Sequence, residues 1–594
     1  MLHVYTPLRD LDSIRIFELN RVSSPKGKVS GRLIQARLQD GPYYQALSYV
    51  WGDHTSNTCS ILLDERPFEV TTSLYEALSA LSSESQATRF WIDQISINQE
   101  DDSEKQRQVE IMASMFTQAD MVIGWLGHNC KDSDIAFKLF RVLGVVHEDD
   151  PNSSRDRNRA LHDLFEHGII RSITDLFDPA SVAVQAVRFL LLNPWFSRRW
   201  VVQEVVLASS LIIRCGSSSI SGEAFFAAVR AMCSTITDPP LTWVQNSYWN
   251  AHRLGQLRER GVSNDRRCFV RLANVLSGWV CQKDQDRLNA LWGLVDSEDP
   301  ATAWFEPSYT VSGPTMYTNF ARRHIDATGG VSILHFAGYG YPDTIKILQT
   351  EREMQIHFDQ PRGDLPSWTP DWRIFSRPIA LDPSNGAAMP FAATTSTASY
   401  SFCGMQLRVL ASKVDTVSIC GMPYSPTLCD GLQTTTYEVF ADWLKLVMEH
   451  FPSPAWEPSF ASTLVMDGKV KLVDHQDLEI STDEILSLFG HWLARDVCYS
   501  DNPDFGLEES TRYGNVAEEV CRNRRFFLTE TGRMGLGPAR THPNASVYLI
   551  HGLKTPFVVD DRPEGDLLCG ECFVHGLMYG EVLRSAETST LRFR

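Results

Sequence analysis

From Tyr44 to Gly216 the chain alternates short, continuously apolar runs with longer segments whose apolar residues recur every three or four positions. The first run, in YQALSYVWGD, places Ala46, Leu47, Tyr49, Val50 and Trp51 together. It is too uniformly apolar for an edge strand and predicts a strand covered on both faces, as in a parallel sheet. ILLDERPFEV then reads as a hairpin turning at DERP, and in SLYEALSALSS the residues Leu74, Leu78 and Leu81 recur at helical spacing behind a Ser73 cap. A second strand is predicted from Phe90 to about Ile95, ending in a polar loop. Ser103 with Gln106 makes a capping box for a helix burying Val109, Met112, Ala113, Phe116 and Ala119. MVIGWLG supplies a third strand and LIIRCG a fourth, separated by a helical, acidic insertion at about 130–190.

The segment before the fourth strand, NPWFSRRWVVQEVVLAS, predicts one helix capped by Asn193 and opened by Pro194. Trp195, Val201, Val202, Val205 and Val206 form its apolar stripe. Trp200 and Glu204 lie one turn apart on a neighbouring face, so the glutamate is expected beside an aromatic wall but outside the core. Strand, helix, strand in repetition implies an α/β fold, a parallel sheet with right-handed crossovers and helices on both faces.

Ligands of such sheets bind beyond the carboxyl ends of the strands. Those ends carry Ser48, Tyr49, Trp51, Gly52 and Asp53 from the first strand and Asp93, Asn98 and Gln99 from the second. Arg198, Trp200 and Glu204 complete the candidate set. Singly, each has a plainer reading: tryptophans fill cores, and Asp and Asn close turns. Their grouping at one end of the sheet is what points to a pocket.

Beyond residue 217 the pattern changes. SISGEAFFAAVRAM and the segment around 269–295 predict helices, and YEVFADWLKLVMEHF is amphipathic, with Val439, Phe440, Trp443, Leu444, Val447, Met448 and Phe451 on its apolar side. QLRVLASKVDTVSI, RRFFLTETG, ASVYLIHG, TPFVV and ECFVHG are short strands between Gly, Pro and Asp turns, predicting a small antiparallel sheet or barrel. GRMGLGP reads as a turn. The expected organisation is a lead-in at 1–40, an α/β domain at 41–220, a helical region at 221–300 and an α+β region at 301–594.

With 594 residues, 43% of them hydrophobic and 22% charged, this is a multi-domain globular composition. Lys and Arg total 55 against 73 Asp and Glu, a net charge of −18, which disfavours nucleic acid and anionic membrane surfaces as partners. No run reaches about 18 uncharged apolar residues, so no membrane span is expected, and the N-terminus lacks a signal-peptide core. Thirteen scattered cysteines suit reduced thiols and a cytoplasmic location. The lone CxxC, Cys569 to Cys572, has no second pair at metal-site spacing, and no metal is expected.

The blocks YQALSYVWGD, FWIDQISINQEDDSEKQRQVEIMASMFTQADMVIGWLG and WFSRRWVVQEVVLA resemble, in residues, order and spacing, the signature blocks of the fungal heterokaryon incompatibility (HET) domain, over roughly 45–211. Ser96 stands where that family usually has cysteine, which argues against essential thiol chemistry there. DRLNALWGLVD, LPSWTPDWR and GECFVHGLMYGEVL resemble companion regions of long HET proteins. The resemblance implies a role in fungal non-self recognition leading to programmed cell death, through self-assembly or an incompatibility partner protein.

HET domains are in turn similar to Toll/interleukin-receptor (TIR) domains, of flavodoxin-like order, whose NAD-consuming members carry their catalytic glutamate in a Trp, three residues, Glu pattern after the third strand. Trp200 and Glu204 match it. The resemblance thus implies Glu204 as the catalytic residue and NAD as substrate, with no permanently bound cofactor. Nicotinamide leaves neutral, so one preorganised carboxylate suffices to stabilise an oxocarbenium-like centre. Trp200 or Trp51 would face a ring, Ser48 and Gly52 offer backbone contacts to phosphate, and Arg198 or Arg199 pair with pyrophosphate. The chain carries neither GxxxxGK[ST] nor a helix-opening GxGxxG. The alternative is a non-catalytic adaptor or scaffold acting by assembly.

Overall fold

The computed structural model describes residues 4–594 except 22–27, 53–57, 84–87, 129–131, 145–150, 179, 236–243, 260–267, 343–344, 350–353, 375–377, 379, 382–390, 395, 425–435, 470–479, 495–506 and 582–586. The chain forms two compact units. The first takes Met1–Phe269, Trp279–Ser297 and Glu306–Thr310; the second takes Val270–Gly278, Glu298–Phe305 and Val311–Arg594.

The first unit is built on β1 (Ser13–Leu19), β2 (Ser30–Arg37), β3 (Gln45–Tyr49), β4 (Thr58–Leu63), β5 (Arg66–Thr71), β6 (Thr88–Trp91), β7 (Met121–Trp125), β8 (Leu211–Cys215) and β9 (Ser218–Ser221). They lie side by side in the order β5-β4-β2-β1-β6-β3-β7-β8-β9. The four strands expected from the apolar runs are β3, β6, β7 and β8, and they pair in parallel at the centre. In chain order these four are arranged 2-1-3-4, the doubly wound order, in which winding reverses beside the first strand. Burial on both faces explains their composition, since Ala46, Leu47, Ser48 and Tyr49 of β3 are all buried. Up to residue 259 its helices are α1 (Thr72–Ser82), α2 (Asp93–Ser96), α3 (Asp102–Gln118), α4 (Ser133–Leu143), α5 (Pro151–Glu166), α6 (Val182–Leu191), α7 (Val201–Val206), α8 (Gly222–Thr235) and α9 (Val244–Glu259).

Four local expectations are corrected. The stretch 1–40, read as a lead-in, contributes β1 and β2 to the sheet, β1 pairing antiparallel with β6. Its charges disguised it: Arg15 is 1% exposed because Glu104 takes it in two bonds of 2.6 and 2.9 Å. The second parallel strand stops at Trp91 rather than Ile95. There the Ser96 hydroxyl accepts the Ile92 N–H and the Asp93 carboxylate accepts the Gln94 N–H, closing the one-turn α2. The cap of α3 is Asp101, which accepts the N–H groups of Ser103 and Glu104, not Ser103.

The helix predicted from Pro194 through Val206 is two pieces. Asn193 caps a 3-10 turn, Pro194–Ser197, as expected. Arg198 is then extended, at ψ 132°, because the backbone on either side of it pairs with Val280: Arg199 donates to the Val280 carbonyl at 2.8 Å and Val280 to that of Ser197 at 2.7 Å. Only after this break does α7 begin.

The second unit holds a sheet of antiparallel strands around Gln406–Tyr424, a 19-residue strand bent by register shifts. From one end of the sheet the order runs Leu567–Glu571, Pro556–Asp560, Ser546–Ile550, Gln406–Tyr424, Arg524–Thr529, Met534–Pro538 and Phe573–Val574. Its first and last members are consecutive in the chain, separated by Cys572. One segment therefore pairs at both edges, and the sheet curls into a barrel. GRMGLGP, read as a turn, provides a barrel strand. A Cβ at Gly535 would collide with the Phe527 ring, and one at Gly537 with the Thr541 side chain, so small residues are required. The helix Thr436–His450 buries Val439, Phe440, Trp443 and Val447 against a core that includes Phe460, Phe489, Trp492 and Phe526, while Met448 faces solvent. No helix among the described residues is long and apolar enough to cross a membrane.

Candidate functional site

The site forms where the winding reverses, at the carboxyl ends of β3 and β7. Ser48 lies opposite Gly124 and Tyr49 opposite Trp125. A Cβ on Gly124 would stand 2.8 Å from the Trp195 ring, so glycine there lets that indole come close to the strand. Trp195 Nε1 donates to the Ser48 hydroxyl at 2.7 Å, and the hydroxyl donates in turn to Glu204 Oε2. With its lone pair taken by the indole, Ser48 is oriented with its proton toward the carboxylate.

Glu204 belongs to the first turn of α7, its N–H bonded to the Trp200 carbonyl, and its side chain is 2% exposed. It was expected beside the core and is inside it. The short α7 is buried on nearly every side, since Val201, Val202, Gln203 and Val205 are also buried. Arg198 Nη1 and Nη2 face its two oxygens at 3.4 and 3.5 Å. The extended backbone at Arg198, fixed by Val280, is what turns that guanidinium back over α7. An uninterrupted helix would have separated the two along its surface.

Asp93 is the second carboxylate. Its Oδ2 accepts Trp51 Nε1 at 2.6 Å, and its backbone carbonyl accepts Gln99 Nε2 at 3.0 Å. Burial raises the pKa of Asp93 above the ordinary range against the opposing charge of Arg198. Burial likewise raises Glu204, opposed by Arg198 and the Ser48 bond and reinforced by Asp93. Because desolvation outweighs the single guanidinium, these two buried carboxyls hold a proton to higher pH than exposed ones. The arrangement is an electronegative group at the end of the sheet, partly neutralised by Arg198, whose side chain is 20% exposed.

The sequence candidates divide accordingly. Ser48, Trp51, Asp93, Arg198 and Glu204 come together. Tyr49 sits behind them, its ring in the core and its hydroxyl donating to Gln94 Oε1 at 3.3 Å. Asn98 turns its side-chain oxygen to the Glu100 N–H, closing its own turn, and Gln99 braces the loop to Asp93. Gly52, at φ 75° with open space where a side chain would be, holds a left-handed turn. Asp53 lies outside the described residues. Arg199, just before α7, is fully buried and donates to the Arg287 carbonyl, so it is not open to a ligand.

Trp200 does not supply the wall expected beside Glu204; its indole bonds the Asp286 carboxylate, which also accepts the Tyr309 hydroxyl at 2.5 Å. The wall is Trp195, which sequence periodicity assigned to the apolar stripe. Its indole nitrogen was the missed signal, because a buried indole N–H needs an acceptor. Asp286 and Tyr309 were missed because they reach the site from 279–297 and 306–310, over 80 residues beyond α7. That returning chain is fastened down: Gln203 Nε2 donates to the Ala290 carbonyl at 2.8 Å, and Gly293 lies so close to α3 that a Cβ there would strike Ala113.

Residues 44–204 match the family model described as Heterokaryon incompatibility protein (HET), and residues 506–591 that of the Het-6 beta-barrel domain. The first match ends on Glu204, and the second spans most of the barrel strands. A relative along the whole chain is Heterokaryon incompatibility protein 6, OR allele, of Neurospora crassa, 23% identical across 97% of this chain and 95% of its own. No solved structure matches. The α/β unit closing over Glu204 therefore contains the region similar to the HET family model, and the C-terminal barrel the region similar to the Het-6 beta-barrel model.

Proposed function

We propose that the first unit cleaves the bond between nicotinamide and ribose in NAD, as the effector of a fungal incompatibility response that ends in cell death. The observation that supports this most is the position of Glu204. It is a buried carboxylate on α7, the last helix before the fourth parallel strand, at the reversal point of a doubly wound sheet, which is where such sheets take ligands. As positive charge grows on the ribose carbon, Glu204 stabilises it, with Ser48 and Trp195 fixing the carboxylate so that no reorganisation is needed. Arg198 is the movable member, and its displacement by the substrate exposes Glu204 Oε1. Asp93 and Trp51 border the same space, where the indole offers an aromatic face. The test is nicotinamide release from NAD by the purified full chain. Glu204→Gln lowers release by about 10²–10³ while leaving thermal unfolding in place, and undiminished release from that variant rejects the reading.

A second reading is a non-catalytic module that signals by assembling with itself or a partner. It is favoured by the engagement of both Glu204 oxygens by protein groups, Ser48 and Arg198. Under it, wild-type protein triggers death without any fall in NAD.

A further inference from the structure

The pairing that breaks the helix before α7 is built to come apart. Val280 holds the break by two backbone bonds, its carbonyl accepting the Arg199 N–H at 2.8 Å and its own N–H donating to the Ser197 carbonyl at 2.7 Å. Its side chain is 49% exposed, so the attachment draws on those bonds rather than on burial of the valine. The residues that follow, 281–285, are exposed or half-buried, and full burial resumes at Asp286. Beyond it the Arg287 and Ala290 carbonyls accept from the side chains of Arg199 and Gln203. A solvent-facing loop at 280–285 therefore runs between two buried anchors, Trp279 and Asp286.

The chain that Val280 holds has a second conformation close by. Arg198 already has φ −72°, a helical value, and only its ψ, at 132°, departs from one. Rotating that dihedral to about −42° makes residues 194–206 one helix, as their periodicity predicts. The two backbone groups that Val280 engages are not stranded by the change. In a continuous helix the Arg199 N–H bonds the Trp195 carbonyl, and the Ser197 carbonyl accepts the Val201 N–H. The helix also gains a proper start, since α7 as it stands has no side-chain cap, whereas Asn193 caps the turn Pro194–Ser197. One set of bonds replaces another, which makes the segment bistable.

We propose that the Val280 pairing is an autoinhibitory latch over Glu204. Latched, it aims Arg198 at the two Glu204 oxygens, 3.4 and 3.5 Å away. Released, the continuous helix carries the guanidinium along its surface and opens the carboxylate to a ligand. The latch is placed to be worked from elsewhere in the chain, because Gly278, just before Trp279, already belongs to the second unit. What Glu204 does once uncovered rests on the hydrolase reading; the uncovering itself does not.

The experiment follows the full chain by amide hydrogen exchange, by labelling of Glu204 with a water-soluble carbodiimide and glycinamide, and by NAD kinetics. In wild type the Arg199 and Val280 amides exchange at one common rate, faster than the β7 amides, because both bonds open together. Val280→Pro deletes the donor to Ser197 and raises both Glu204 labelling and nicotinamide release about three- to tenfold, the weight of one net hydrogen bond. Val280→Ala keeps both backbone bonds and changes neither. Exchange of Arg199 and Val280 only as slow as that of β7 overturns the latch without any variant, and so does unchanged labelling in a folded Val280→Pro. Faster labelling in Val280→Pro with no NAD cleavage by either protein overturns the hydrolase and keeps the latch. NAD cleavage by wild type with no gain in Val280→Pro keeps the hydrolase and overturns the latch.

Discussion

Each unit buries one glutamate at the end of a sheet, and the two are treated differently. Glu571, in the barrel, is 1% exposed and has its oxygens filled by His335 at 2.8 Å, the Leu381 N–H at 2.7 Å and Arg524 at 3.5 Å, with His335 and Arg524 themselves buried. Glu204 has the Ser48 hydroxyl and one guanidinium, at 3.4 Å, which is partly open to solvent and shared with Asp93. The first arrangement balances a buried negative charge with a guanidinium and hydrogen-bonding groups, as structure requires. The second leaves it under-compensated at a sheet's ligand-binding edge, a cost that stability alone does not call for. Burial of a carboxylate is thus no sign of function by itself; what distinguishes the two is the ratio of partners to charge and whether solvent can reach a partner.

The comparison can be broken at its strong end first. Glu571→Ala takes the carboxylate from the buried Arg524 and a hydrogen-bond partner from His335 and should destabilise the second unit by about 3–5 kcal/mol, read as a lowered denaturant midpoint for that unit. A change under about 1 kcal/mol would mean the barrel carboxylate is no staple. Glu204→Gln should do the reverse, costing about 10²–10³ in nicotinamide release with little change in stability. Ser48→Ala strands the Trp195 N–H in the core. A loss of about 1–3 kcal/mol in the first unit is expected, with Ser48→Thr tolerated less well than its chemistry suggests because the site is packed.

The smallest expected effect is in pH. Asp93 and Glu204 titrate above their ordinary values of 3.8 and 4.5 in the folded state, so the unfolded chain gives up these protons first. Their contribution to stability is therefore present below those ordinary values and is lost as pH rises through the folded ones. The Asp93→Asn/Glu204→Gln variant should show a shallower fall in unfolding free energy across that window than wild type. Equal slopes would mean that the two carboxyls are no more desolvated than surface acids.

Sequence alone determined the centre of the first unit. The apolar runs of β3, β6, β7 and β8 mark strands buried on both faces, and their alternation with helical stripes leaves a parallel sheet as the economical solution. It also brought Ser48, Trp51, Asp93, Arg198 and Glu204 to one edge, because residues at strand ends must gather there. Tertiary structure decided which of them meet. The pairing of Val280 with the chain around Arg198 broke a helix that periodicity draws as continuous, and so aimed Arg198 at Glu204. The same returning segment drew Trp200 to Asp286 and left Trp195 beside Ser48. β1 was hidden because a buried arginine looks exposed until its partner, 89 residues away, is seen. Hydrophobic periodicity reports each element's own burial, whereas contacts made over 80 residues apart are set by where other elements pack, and no local pattern encodes them.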